Sequence, residues 1–158
     1  KIRVMESPVH IASFKAMGAN PTPMAWGEVY TAIQQGTIDG QENPNIAIID
    51  GKIFEVNKFM SMTEHFYSPA ELLISKGIFE KLSSQDQQAL RDAANEAKVY
   101  QREQAFAVNN TNGLAKIEAN GVKVLRVDKA SFQEAVKPVY AAYEKEFGDT
   151  IRKIQAQK

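Results

Sequence analysis

Cysteine is absent from the 158 residues, which excludes disulfides, thiolate metal sites and a cysteine nucleophile but says little about compartment. No apolar run approaches the roughly 20 residues that span a bilayer. No charged-then-apolar leader stands ahead of Lys1, so the expectation is a mature, trimmed or partial chain. An excess of one charge is missing too: nineteen basic residues balance nineteen acidic ones. The basic footprint that neutralises phosphates is therefore lacking, and nucleic acid is not an expected partner. Histidine occurs only as His10 and His65, at no metal-ligand spacing, so neither a metal nor a cofactor is expected.

What is present is a chain the size of one ordinary domain, 44% hydrophobic and able to bury a core. Ile2 to Val4 read as a strand, and His10 to Met17 as a helix that Gly18 closes. Pro21 and Pro23 push Asn20 and Thr22 towards extended geometry. From Glu28 to Gln35, Val29, Ala32 and Ile33 recur at helical spacing before Gly36. Thr37 and Ile38 then enter an Asp39-Gly40 turn, and Asn43-Pro44 starts a helix to about Glu55. Phe59 to Thr63, Glu71 to Ser75 and Val122 to Val127 read as strands, and short strands alternating with helices point to an α/β fold.

Ser83 and Asp86 form a capping-box-like start to an apolar stripe that runs through Leu90, Ala94 and Tyr100 towards Ile117 and Ala119. Unbroken, that helix would be about 55 Å long, against a diameter of roughly 40 Å for a globule of this size. Either Asn109 to Gly113 breaks it or it bridges to a body outside this sequence, and bridging is the reading taken. A last helix from Ser131 to Phe147 is interrupted or bent at Pro138, with a short tail helix at Ile151 to Ile154.

KIRV at the start, followed by PTPMAWGEVYTAIQQGTIDGQENP, resembles the extracytoplasmic solute-binding proteins of tripartite ATP-independent periplasmic (TRAP) transporters, of the DctP type. KIFEVNKFMSMTEHFYSP and LISKGIFEKLSSQDQQAL follow in the family's order, so the likeness covers essentially the whole chain. Such proteins are about twice this long and close two α/β lobes on a ligand. The resemblance thus implies a periplasmic-binding-protein-like lobe from the C-terminal half, with a long helix that normally serves both lobes. It divides the chain into a second-lobe core at 1–68, a crossover strand and long helix shared with a first lobe at 69–108, and a return at 109–158. A chain truly this short would self-associate or swap segments through its uncovered edge.

The resemblance also assigns chemistry. Arg3 matches the arginine that pairs with a ligand carboxylate, a task suited to a planar, always charged fork. Asn43 matches the amide beside it, able to donate and accept in one pose, and Trp26 falls where the family carries an aromatic residue, often phenylalanine. Glu6 and Ser7 directly follow the first strand, where side chains tend to face a cleft; a carboxylate there suits a hydroxylated ligand, and uronate-like sugar acids are the first candidates. Asp39 and Glu42 read as turn and cap residues rather than a catalytic pair. The expected function is a non-enzymatic, periplasmic receptor that delivers a small organic acid to TRAP membrane subunits. The alternatives are a small α/β enzyme using Glu42 or Asp39, or a sensory module.

Overall fold

The computed structural model describes residues 1–107 and 112–157. Strand β1 (Ile2–Val4) lies at the centre of a three-stranded parallel sheet, between β2 (Pro21–Pro23) and β3 (Gly40–Gln41). Arg3 stands opposite Thr22 on one side and Gln41 on the other. β2 is Pro-Thr-Pro, and two residues without N–H groups suit an edge strand. Helices α1 (Pro8–Ala16) and α2 (Trp26–Gln34) make the crossovers, and Gly18 and Gly36 end them with positive φ values of 86° and 70°. In each case the two amides after the helix bond back to carbonyls of its last turn, Ala19 to Phe14 at 2.9 Å and Thr37 to Ala32 at 2.9 Å.

A second parallel pair, β4 (Phe59–Met62) with β5 (Lys123–Arg126), completes the sheet structure among the described residues. Helix α3 (Asn45–Asp50) and a short 3₁₀ turn at Ile53–Glu55 connect β3 to β4. The core forms where Val29, Ala32 and Ile33 of α2 meet Ile38, Ile48, Ile53, Val122 and Ile117 of α6 (Gly113–Ala119). That is the face predicted from helical spacing. Val4 is fully buried as well, while strand alternation turns Arg3 to the opposite face from Ile2 and Val4.

The remaining helices are α4 (Lys76–Phe79), α5 (Ser84–Ala107), α7 (Lys129–Ala135) and α8 (Lys137–Gln155). Ser83 caps α5 as expected: the Asp86 amide donates to Ser83 Oγ at 3.1 Å, and that hydroxyl donates to the Asp86 carboxylate at 2.7 Å. Pro138 falls in the first turn of α8, where its missing N–H is harmless, so the interruption read from the sequence is present. The separate tail helix is not, since α8 runs through Ile151–Ile154.

Other readings need correction. Asp39-Gly40 is no turn, because Gly40 pairs with Ile2 in the ladder; sheet pairing outweighed the local signal. The helix from Pro44 stops at Asp50, since Lys52 adopts a left-handed φ of 52°. Glu71 to Ser75 form no strand, with Leu72 and Leu73 76% and 80% exposed and nothing beside them to complete a ladder. α5 has 24 residues, none of them buried, a length of about 36 Å. Most of the Asn109 to Gly113 stretch, on which a break or a bridge was to be decided, lies outside the described residues.

Candidate functional site

The order β2-β1-β3 sends the chain from β1 through α1 to one flank and back through α2 to the other. β1 and β3 are therefore neighbours whose following loops diverge, the switch point at which open α/β sheets form a crevice beyond their carboxyl ends. Glu6 and Ser7 follow β1 at this edge, Met24 to Trp26 follow β2, and Glu42 and Asn43 follow β3. The ligand-site candidates Glu6, Ser7, Trp26 and Asn43 thus collect at one end of one sheet, with Arg3 in its central strand.

Arg3 is only 6% exposed although charged. Its Nε donates to the Met24 carbonyl at 2.9 Å, and its guanidinium carbon lies 5.6 Å from the centre of the Trp26 ring, within cation–π range. Among the described residues no carboxylate pairs with it, and its two terminal nitrogens have no protein partner. Neither terminal nitrogen is among the buried atoms left without a partner, so the tip of the fork reaches solvent, where an anion can meet it. Trp26 opens α2, rather than lying in the linker before it, and is 40% exposed. Asn43 donates from Nδ2 to Gln41 Oε1 at 2.7 Å; it is tied to the register partner of Arg3. Ser7 caps α1 by position, but its hydroxyl makes no capping bond, and Glu6 is exposed.

Glu42 and Asp39 lie at opposite ends of β3, one after Gln41 and one before Gly40. Three strand steps separate them by about 10 Å, and each has another partner. The Asp39 amide donates to the Lys1 carbonyl at 2.9 Å, tying that end of β3 to β1. Glu42 meets His65, with Nε2 to Oε2 at 3.2 Å and both side chains less than 20% exposed. His65 Nδ1 in turn lies 2.6 Å from Thr63 Oγ1, and its ring packs edge-on against Phe14. Sequence reasoning missed this clamp between the β3 loop and the segment after β4; the partners are 23 residues apart and share no motif. Among the described residues no carboxylate and histidine cluster is arranged for a metal, and no helix is long and apolar enough to cross a membrane.

A separate cavity of about 610 Å³ lies between α1 and α7–α8, lined by apolar side chains such as Val9, Phe132, Tyr140 and Phe147. Arg3, Trp26 and Asn43 take no part in it. The residues singled out from the sequence stand instead at the open end of the β2-β1-β3 sheet.

Residues 1–146 match the family model of the bacterial extracellular solute-binding proteins, family 7 (DctP). The 2,3-diketo-L-gulonate-binding periplasmic protein YiaO of Escherichia coli K12 is 43% identical over 137 residues, 86% of this chain and 42% of that protein. A TRAP periplasmic solute-binding protein from Polaromonas sp. JS666, solved with D-erythronate, superposes with a TM-score of 0.92 at 44% identity, covering 99% of this chain and 52% of the other. Another, from Citrobacter koseri with D-glucuronate, gives a TM-score of 0.90 at 36% identity over 99% and 52% of the two chains. The chain spans about half the length of these relatives. It belongs to the DctP family of TRAP solute-binding proteins.

Proposed function

We propose that this chain supplies one wall of an extracytoplasmic TRAP receptor, periplasmic like its named relatives, that captures a sugar acid by its carboxylate. The observation that carries the proposal is Arg3, nearly buried at the switch point of the sheet with its fork unpaired among the described residues. In this reading the two terminal nitrogens of Arg3 hold the carboxylate in parallel. Trp26 covers an apolar face of the ligand. Asn43, steadied by Gln41, bonds a carboxylate oxygen or a hydroxyl. The Ser7 hydroxyl and Glu6 then reach the polyol end, where a carboxylate acceptor would repel a plain dicarboxylate. D-Erythronate, D-glucuronate and 2,3-diketo-L-gulonate, named for three relatives, share the carboxylate-plus-hydroxyl pattern and support this class.

Residues 1–68 and 109–158 form the ligand lobe in this proposal, and 69–108 are a crossover segment, which would pair as a strand only beside a first lobe, followed by the long helix shared with that lobe. Hinge closure of the two lobes traps the ligand, and the closed form docks on TRAP membrane subunits. The molecule is a receptor and not an enzyme; the one carboxylate pair an enzyme would have used is divided between the two ends of β3. The test is a thermal-shift screen of the complete protein against sugar acids, keto acids and C4-dicarboxylates. A ligand at 100 times its Kd adds about 2.7 kcal/mol of stability, so D-erythronate or D-glucuronate is expected to raise the melting temperature and succinate to leave it unmoved. A response to succinate alone would overturn the sugar-acid reading.

A further inference from the structure

Gly51 follows the last residue of α3 with φ −79° and ψ 0°, a conformation open to every residue. Backbone freedom therefore does not explain a glycine here. Space does. A Cβ at position 51 would stand 2.8 Å from Cζ2 and 3.4 Å from Cη2 of Trp26, and 3.1 Å from the Ala47 carbonyl oxygen. Carbon atoms in favourable contact stay about 3.5 to 4.0 Å apart, so the benzo ring of Trp26 occupies the room that any other side chain would take. The indole is rigid and cannot bend away; it has to move as a unit.

That movement would reach the ligand wall. The face of the same ring carries the Arg3 guanidinium, 5.6 Å from its centre. Among the described residues its guanidinium has one hydrogen-bond partner, the carbonyl of Met24 two residues before Trp26, which accepts from Nε. Trp26 is 40% exposed, so general burial does not fix its ring. Resting on the sugar-acid reading above, we propose that Gly51 is a positioning residue: by lacking a side chain it seats the benzo ring of Trp26, and through that ring it fixes the arginine fork that receives the carboxylate. Bulk at 26 and bulk at 51 are then exchangeable. The contacting atoms Cζ2 and Cη2 belong to the benzo ring, and a phenyl ring at 26 would end short of them, leaving room for a methyl group at 51.

The experiment is a double-variant cycle in the complete protein, with calorimetric titration of D-erythronate and D-glucuronate and with tryptophan emission. Trp26 is the only tryptophan of this chain; emission is recorded as differences from wild type, and a Trp26→Phe control identifies the part that comes from this residue. Gly51→Ala is expected to weaken binding roughly ten-fold, the scale of an overpacked contact, and to shift the Trp26 emission to longer wavelength as the ring lifts into solvent. Trp26→Phe/Gly51→Ala is expected to bind as Trp26→Phe alone does, a rescue that a merely destabilising change at 51 would not give. Wild-type affinity and emission in Gly51→Ala would overturn the proposal, as would a double variant weakened by the product of the single losses. Should Gly51→Ala fail to fold, the double variant decides: recovered folding supports the seat and continued failure overturns it. Should neither acid bind the wild type, the sugar-acid reading falls, while the emission of Gly51→Ala still decides the seat.

Discussion

The sheet body and the α4–α5 arm are built from the same kinds of residue and meet different fates. In the body, Val29, Ile38 and Ile117 are at most 1% exposed, and the ligand-site candidates Arg3, Glu6, Ser7, Trp26 and Asn43 stand in or just after the strands beside this core. In the arm, Leu72, Leu73, Tyr100 and Phe106 are all more than 60% exposed, and α4 and α5 bury no residue. An amphipathic pattern specifies a face, not what covers it. The body finds its cover within the chain, whereas the arm, in the proposed division of residues, awaits a first lobe.

That contrast can be broken by experiment. The largest effect is expected in the body, where Ile117→Ala should cost about 3 kcal/mol in chemical denaturation, because it empties the contact between α6 and the α2–α3 core; a loss under about 1 kcal/mol would mean the core is not organised around α6. Leu73→Ser should leave the isolated chain within about 0.5 kcal/mol yet destabilise the complete protein by about 2 kcal/mol if a first lobe buries that leucine. Equal effects in both would remove the arm from any shared layer. Ser83→Ala should cost about 1 kcal/mol by deleting the cap of α5, read out as lost helicity on heating. The smallest effect is expected at Tyr30, whose hydroxyl donates to Glu55 at 2.7 Å. That bond raises the phenol pKa above its ordinary value near 10, so its contribution is complete at neutral pH and fades as pH climbs past 10. Tyr30→Phe should match the wild-type melting curve at high pH and fall marginally below it at pH 7.

The sequence was most legible where one local rule acted alone. Val29, Ala32 and Ile33 announced the buried face of α2, Gly18 and Gly36 its neighbouring helix ends, and Pro138 the joint between α7 and α8. It misled where a partner was needed or overrode the signal. Gly40 became a strand because Ile2 lay beside it, and Glu71 to Ser75, apolar enough for a strand, had no ladder to join. Within the candidate site, the arginine and the amide came from a motif, and the sheet order explains why they share a rim. The contacts of Glu42 with His65 and of Trp26 with Gly51 were illegible, being set by how α3 and the segment after β4 fold back on the sheet.

The central claim is that the Arg3 fork binds a carboxylate, and Arg3→Lys tests it with the charge preserved and only the paired geometry removed. In calorimetric titration of the complete protein with D-erythronate or D-glucuronate, whichever binds the wild type, the account expects a loss of about 2 kcal/mol, roughly thirty-fold in Kd. An unchanged Kd would remove Arg3 from the site and the proposed carboxylate recognition with it.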